Sequence, residues 1–385
     1  MTRSHAILVV YLRGGADGLS LVPPLSEEAY HRARPSLSLA EGHADRSRRA
    51  IHAGGGFGLH PELAPLAGWL EDRSLSIVLG AGSDDDTRSH FEAQDRMELG
   101  QLGGAAAPSS GWMARALRAG TPEPSSLAAI ALGRSLPEAL RGAPATVVND
   151  LRELVDGAPA EADLDQILAL YEGAGDAPEE TASEQEIRRA LTDGARASVA
   201  SLRTLRSLVG ESPPEAQAFP NTEFGARLRT AALLLSHREE LGVRLISVDQ
   251  GGWDTHFGQA PLLAENANDL ARSLAALRSS LDAQSDAAWD QTTVLVMTEF
   301  GRRVAENVSL GTDHGRASTV FIAGGSLPWA PLLGQWPSLD SLEGPGDLPV
   351  TTNVRDVIAE VMKSRAGIDS SRVMDGPLSV LRALS

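Results

Sequence analysis

The sequence predicts an α/β fold in which helices cover both faces of a doubly wound, mostly parallel sheet. Two observations predict it: five short apolar runs rich in β-branched residues, and longer stretches of helical periodicity between them. Continuous apolar runs of this kind are typical of strands that are buried on both faces. We expect residues 1–385 to form a single domain, because large α/β sheets often reach this size.

The predicted strands follow one another at intervals along the chain. The first covers 6–12, with the sequence AILVVYL, and leads into a glycine-rich turn that contains Asp17. The second covers 75–80 and is followed by an acidic turn and a helix over 89–99. Three more strands are predicted over 243–248, 293–297 and 319–323.

Helical patterns at 227–240 and 261–281 lie between the later strands, where the crossover connections of a parallel sheet are expected. The stretch 102–220 differs, because it is rich in Ala, Gly, Pro, Ser and acidic residues. We interpret it as a helical insertion or cap on the main sheet, with a loop at 173–178. Its clearest helical segments are 163–172 and 184–208.

Composition excludes several classes of function. The formal net charge of −17 argues against a nucleic-acid partner, because such binding depends on Lys and Arg that neutralise phosphates. The absence of cysteine excludes disulfides, thiolate metal sites and cysteine nucleophiles. No apolar run is long enough to span a membrane, and no signal peptide is recognisable, so the chain as given is expected to be cytoplasmic.

Chemically capable side chains follow the predicted strands. In an open α/β sheet, ligands bind outside the carboxyl ends of the strands. Carboxylates and imidazoles that converge there can hold a divalent metal, and without cysteine its ligands must be oxygen or imidazole. The candidate metal ligands are Asp17, Asp254, His256, Glu299, Asp313 and His314.

Some of the polar residues at these strand ends also have an ordinary structural explanation. An Asp before Gly, as at Asp17, is a common turn residue. Thr87 or Ser89 before a helix is a normal N-cap. The Asp254/His256 and Asp313/His314 pairs favour ligands more strongly, because only nine histidines occur in the chain.

Six sequence blocks together resemble a large bacterial family of unknown function, the domain-of-unknown-function family 1501. They occur in order over most of the chain: LRGGADGL at 12–19, FGLHP at 57–61, TRSHF at 87–91, GGWDTH at 251–256, TEFGR at 298–302 and GTDHGR at 311–316. This family is grouped with the alkaline phosphatase and sulfatase superfamily. The resemblance therefore implies an alkaline phosphatase-like fold.

The superfamily binds one or two divalent metals at the strand ends and uses a Ser, Thr or modified Cys nucleophile on phosphate or sulfate esters. By position, Asp17 matches its acidic ligand, and Ser89 matches its nucleophile, with Thr87 as the near alternative. Asp254 and His256 match the Asp/His pair of one metal site.

The remaining ligand positions depart partly from the superfamily. His314 would complete the site of Asp254 and His256. Glu299 falls where the superfamily has Asp-His, and Phe300 occupies the expected histidine position. Asp313 and His314 are then the candidates for replacement ligands. Many members of the resembling family carry a twin-arginine export signal, which this sequence lacks.

The leading hypothesis is a metal-dependent hydrolase or transferase for phosphate or sulfate esters, hence for a small anionic substrate. The metal would be zinc, manganese, magnesium or calcium, with iron as a further possibility. Ser89 would attack, and an arginine would hold the oxyanion; the candidates are Arg13, Arg88, Arg302 and Arg316. Two alternatives stay open: redox or tailoring chemistry in the same pocket, and a non-catalytic protein that binds an anion or a partner. The sequence makes no prediction of oligomeric state.

Overall fold

The fold is described from a computed structural model of the chain. It describes residues 5–102, 105–121, 125–172, 181–283 and 288–384. Within this part of the chain, no helix is long and apolar enough to cross a membrane.

The secondary structure alternates strands with helices. The strands are β1 (Ala6–Leu12), β2 (Ile51–Gly54), β3 (Phe57–Leu59), β4 (Leu75–Gly82), β5 (Ala129–Leu132), β6 (Thr146–Val148), β7 (Leu245–Gln250), β8 (Thr292–Met297), β9 (Ser318–Gly324), β10 (Leu332–Leu333) and β11 (Thr352–Asn353). The helices are α1 (Gly18–Leu21), α2 (Glu28–Ala33), α3 (Gly68–Glu71), α4 (His90–Leu99), α5 (Trp112–Gly120), α6 (Leu151–Asp156), α7 (Glu161–Glu172), α8 (Ala182–Ser207), α9 (Glu223–Ser236), α10 (Arg238–Leu241), α11 (Gln259–Asp282) and α12 (Val354–Ala366).

One nine-stranded sheet organises the molecule, in the order β10-β4-β9-β8-β1-β7-β5-β6, with β11 also paired to β4. The pairs of β1 with β7 and β8, of β5 with β6 and β7, and of β4 with β10 and β11 are parallel. Strand β9 is antiparallel to β4 and to β8. The prediction of a mixed α/β fold with a mostly parallel sheet is therefore confirmed.

Both faces of this sheet are buried. Along β1, Leu8 and Val10 join one hydrophobic cluster, whereas Ile7 and Val9 join another. The first cluster includes apolar residues of α9 and α11, and the second includes those of α5 and α12. Because successive side chains of a strand point to opposite faces, strands covered on both sides must be apolar throughout. This explains the continuous apolar runs of the sequence.

The topology collects several loops at one edge of the sheet. Strands β1, β4, β7 and β8 run in one direction, so their carboxyl ends meet at that edge. Strand β9 runs the other way and therefore begins there. The loop 311–316, which precedes β9, thus joins the loops that follow the four other strands.

The stretch 102–220 is not wholly helical, which corrects the expectation of a helical insertion. It contains β5 and β6, which extend the main sheet beyond β7. Strand β5 has the sequence Ala-Ile-Ala-Leu, which is too short and too rich in alanine to be distinguished from helix by its pattern. The single-domain assignment stays a prediction, and 173–178 lies outside the described residues.

Candidate metal centre

The loops at this edge pack backbone against backbone. Gly14, at φ 121°, lies so close to the loop after β7 that a Cβ atom there would be 2.4 Å from the Asp254 nitrogen. A Cβ atom on Gly311 would be 2.3 Å from the His256 carbonyl carbon. Glycine is required at both positions because any larger residue would push the loops apart.

Arg302 joins the same loops and is 1 % exposed. Its guanidinium donates to Gly15 O at 2.7 Å, Thr312 O at 2.9 Å, Trp253 O at 3.1 Å, Gly14 O, and Asp254 Oδ1 at 2.6 Å. These acceptors engage the guanidinium on all sides. Arg302 therefore positions Asp254 and the loop backbones, rather than standing free to bind an oxyanion as the sequence had suggested.

Three histidine side chains approach the same carboxylate oxygen. Asp254 Oδ1 lies 2.9 Å from His256 Nε2, 3.1 Å from His314 Nε2 and 3.5 Å from His90 Nε2. The Nε2 atoms of His256 and His314 are also 2.9 Å apart. Ligand atoms of His90, Asp254 and His314 all lie within 4.8 Å of one another, as a single cation would require.

The opposite nitrogen of each imidazole faces an oxygen. His90 Nδ1 lies 2.8 Å from Glu299 Oε1, His314 Nδ1 lies 2.9 Å from the Arg88 carbonyl oxygen, and His256 Nδ1 lies 3.5 Å from Asp313 Oδ1. Carbonyl and carboxylate oxygens can only accept hydrogen bonds. They favour the tautomer with the proton on Nδ1, and the Nε2 lone pair is then free for a metal.

His90 belongs to this group of convergent ligand atoms, although the sequence analysis did not include it among the candidate metal ligands. Its Nε2 atom is buried and has no hydrogen-bond partner within the described residues, although it faces Asp254. Its position at the start of α4, beside the predicted nucleophile, was the available signal.

Glu299 and Asp313 lie behind histidines. Glu299 is 2 % exposed and accepts from His90, from Gln94 Nε2 at 3.0 Å and from the Gly14 amide at 2.9 Å. Asp313 accepts from Asn307 Nδ2 at 3.1 Å. Their oxygens are therefore engaged in supporting contacts, whereas the sequence had suggested direct ligands for both.

The carboxylates of the centre are strongly acidic. Burial alone would raise the pKa of Glu299, but hydrogen bonds from His90 and Gln94 lower it to about 2. Burial would also raise the pKa of Asp254, yet the Arg302 and His314 contacts lower it to about 2. Both groups are consequently anionic at neutral pH.

The imidazoles differ from one another. The hydrogen bond to Glu299 raises the pKa of His90 above its ordinary value, against the opposing effect of burial. Burial lowers the pKa of His314, although Asp254 partly offsets that effect. Phe300, at the expected histidine position, packs against both rings, with centroids 4.9 Å from His90 and 4.7 Å from His314.

Asp17 is in a different environment from the candidate ligands. It is 1 % exposed and is paired with the equally buried Arg34 through contacts of 2.5 and 3.0 Å. Ser20 Oγ and Gln259 Nε2 donate to it as well, at 2.7 and 2.5 Å. Burial would raise the pKa of Asp17, but Arg34 lowers it. Both oxygens are thus occupied, and Asp17 is absent from the group of convergent ligand atoms.

The predicted nucleophiles lie beside His90. Ser89 is the N-cap residue of α4, but its side chain makes no capping hydrogen bond. Thr87 is exposed, and its hydroxyl donates to Asp85 Oδ2 at 2.9 Å. The Arg88 guanidinium points to the buried Asp347, with 3.0 Å between Nε and Oδ2. The Thr87 hydroxyl is therefore engaged in a hydrogen bond, whereas the Ser89 hydroxyl makes no capping hydrogen bond.

Comparison with known proteins assigns the chain to a family. No curated protein sequence matches it. The model of one protein family, described as "Protein of unknown function (DUF1501)", matches residues 75–384. That match includes β4, α4, β7, β8 and β9, with Asp254 and all three histidines of the centre. The chain is a member of the DUF1501 family.

Proposed function

We propose that the chain binds one divalent metal ion through His90, His256, His314 and Asp254. The observation that supports this most directly is the approach of three imidazole Nε2 atoms to the same carboxylate oxygen, Asp254 Oδ1. The unpartnered, buried Nε2 of His90 supports it independently, since an orphaned polar atom is costly unless a ligand satisfies it. Glu299 and Asp313 would orient imidazoles, as outer carboxylates commonly do in metal sites.

The donor set favours some metals over others. Three imidazoles and one carboxylate suit zinc or iron, whereas magnesium and calcium prefer oxygen ligands. Among the described residues, His90, Asp254 and His314 form the one group whose ligand atoms are compact enough for a cation, so a single ion is expected. A bound metal supplies Lewis acidity and lowers the pKa of a hydroxyl or water that contacts it.

The leading proposed activity is hydrolysis or transfer of a phosphate or sulfate ester on an alkaline phosphatase-like, sulfatase-like fold. Ser89 supports this activity. It is the residue before His90, at the N-terminus of α4, and its hydroxyl makes no capping hydrogen bond. That helix end presents backbone N–H groups and a positive dipole to an anion. The Ser89 oxygen would form a new ester bond as the substrate alcohol leaves.

The arginines weaken the case for an anionic ester and favour a second candidate. Each of the four arginines proposed to bind the oxyanion has a carboxylate partner: Arg13 with Glu98, Arg88 with Asp347, Arg302 with Asp254 and Arg316 with Glu343. A centre with imidazoles and a single carboxylate also resembles the ligand sets of non-haem iron enzymes. Redox or tailoring chemistry at iron is therefore the alternative, followed by a non-catalytic binding protein.

Elemental analysis before and after chelation tests the proposal. About one equivalent of zinc that chelator removes, with a lower melting temperature afterwards, would support the ester hydrolase. p-Nitrophenyl phosphate and p-nitrophenyl sulfate would then be the first substrates. One equivalent of iron would favour the redox candidate. No metal after reconstitution with zinc, manganese or iron would contradict the metal centre and leave the non-catalytic protein as the better explanation.

A further inference from the structure

A cavity of about 660 Å³ opens beside the candidate metal centre. Its wall includes the carboxyl ends of β5 and β7 and the first residue after β1, together with one side of α4. This position is where open α/β sheets bind their ligands, and the volume suits a small molecule.

The cavity and the centre share part of their walls. Gln94 lines the cavity, and its Nε2 also donates to Glu299, the carboxylate behind His90. Arg13 lines the cavity next to Gly14, whose amide donates to the same carboxylate. A molecule in the cavity is therefore separated from the proposed metal ligands by little more than one layer of side chains.

Two of the cationic groups in the wall are already committed to carboxylates. Arg13 lies between Glu98, at 2.5 Å, and Asp249, at 3.0 Å, and its side chain is only 17 % exposed. Arg227 is paired with Glu223 at 2.6 Å and is 14 % exposed. Neither guanidinium presents a free charge to an incoming anion.

The carboxylates are more accessible than the arginines. Asp249 and Glu223 remain 46 % and 65 % exposed in spite of their pairing. The side chain of Asp95 is exposed and forms no hydrogen bond or ion pair with any described residue. Arg134 is the one exposed arginine of the wall that lacks a carboxylate partner within the described residues. Accessible negative charge is thus in excess around this cavity.

We propose that the cavity binds an organic cation, namely a primary ammonium or guanidinium group of the substrate. Asp95, Asp249 and Glu223 would accept its hydrogen bonds, since carboxylates bind such donors strongly. The overall charge of −17 would add a long-range attraction for cations. The inference rests on the proposed function for the reaction that follows binding, but the binding itself requires no metal.

The test uses 1,4-diaminobutane as the probe and isothermal titration calorimetry of the full chain in low-salt buffer after chelation. We expect saturable 1:1 binding with a Kd below about 1 mM, weakened by added salt. The uncharged 1,4-butanediol and the anionic succinate should bind at least about tenfold more weakly. Equal binding of the diol or succinate, or no saturable binding of the diamine, would overturn the proposal.

Matched variants locate the site. Asp95→Asn combined with Glu223→Gln should weaken diamine binding about tenfold or more. The control, Asp163→Asn combined with Glu71→Gln, removes two exposed carboxylates outside the cavity and should bind as the wild type does. Arg134→Gln removes a positive charge from the wall and should tighten diamine binding. Misfolding of a variant would weaken binding, so it could not produce this result. Equal affinities in all these variants would contradict the assignment.

This outcome is separable from that of the metal proposal. Diamine binding without metal binding would retain the cavity and reject the metal centre. Metal binding without diamine binding would retain the metal centre and reject the cation site in the cavity.

Discussion

Glu299 Oε1 lies 2.8 Å from His90 Nδ1, so a buried carboxylate stands directly behind an imidazole whose other nitrogen faces Asp254 at 3.5 Å. The two residues come from different strand ends, since Glu299 follows β8 and His90 follows β4. The contact fixes the ring, selects the tautomer and directs Nε2 toward the candidate centre. Glu299 thus acts on the centre through His90.

Glu299→Gln tests this positioning role. The amide keeps the size of the side chain but removes the negative charge, so His90 should be held less firmly and be a weaker ligand. We expect metal affinity to fall about 10- to 100-fold, with one ion still bound at saturation. Competition with a chromogenic chelator measures the change. A variant that loses the metal completely would instead identify Glu299 as a direct ligand.

His314→Ala removes an imidazole that faces Asp254 at 3.1 Å. We expect the metal content after dialysis to fall from about one equivalent to nearly none, because three remaining donors bind a metal less tightly than four. His52→Ala is the control, because that side chain is 72 % exposed and its partner is Glu41. Elemental analysis compares the two variants, and unchanged metal content in His314→Ala would contradict the ligand set.

Asp17→Asn separates a structural carboxylate from a metal ligand. The change leaves Arg34 buried at 0 % exposure without its counter-charge, which is destabilising by about 3–5 kcal/mol for buried pairs. We expect urea unfolding to show such a loss, while the protein that remains folded keeps its metal. Normal stability with lost metal would restore Asp17 to the ligand set.

Ser89→Ala tests the nucleophile. Since the Ser89 hydroxyl makes no capping hydrogen bond, its removal should change stability little. If the ester hydrolase is correct, we expect turnover of p-nitrophenyl phosphate or sulfate to be abolished with metal content intact. Thr87→Ala serves as the comparison and should retain turnover. Activity in Ser89→Ala that equals the wild type would remove Ser89 from the mechanism.

His60 predicts a pH dependence of stability. Burial lowers its pKa from 6.5 to about 4, so the unfolded chain binds the proton more readily between these values. The contribution of His60 therefore makes the free energy of unfolding fall as pH decreases from 6.5 to 4, by on the order of 3 kcal/mol in total. His60→Asn keeps an N-cap acceptor for Glu62 and should flatten that slope in urea titrations. An unchanged slope would contradict the assignment.

Much of the sheet could be predicted from local pattern. The runs at β1, β4, β7, β8 and β9 are apolar and β-branched because both faces of the sheet are covered, and such runs are visible in sequence. β10 and β11 have two residues each, which is too short for any periodic signal. Their strand geometry depends on pairing with β4, a contact that only the folded chain provides.

The sequence predicted the location of the candidate site better than it predicted the role of each residue in it. The sequence indicated which strand ends carry acidic and imidazole groups, and Asp254, His256 and His314 do converge. The local sequence did not show which of these groups contact each other. In the structure His90 faces Asp254, whereas Glu299 and Asp313 face imidazoles. These relationships depend on strand order and on the packing of loops that are far apart in the chain, 209 residues in the case of His90 and Glu299.

By itself, the sequence determined the α/β class, the family and the kinds of donor atom available, because composition and apolar periodicity are properties of the chain alone. Tertiary structure decided which donors meet. It buried Asp17 against Arg34, enclosed Arg302 among carbonyl groups, and brought His90 to Asp254. The physical reason is that the register and direction of neighbouring strands decide which side chains come within hydrogen-bond distance of one another. Register and direction in turn follow from burial of the whole sheet.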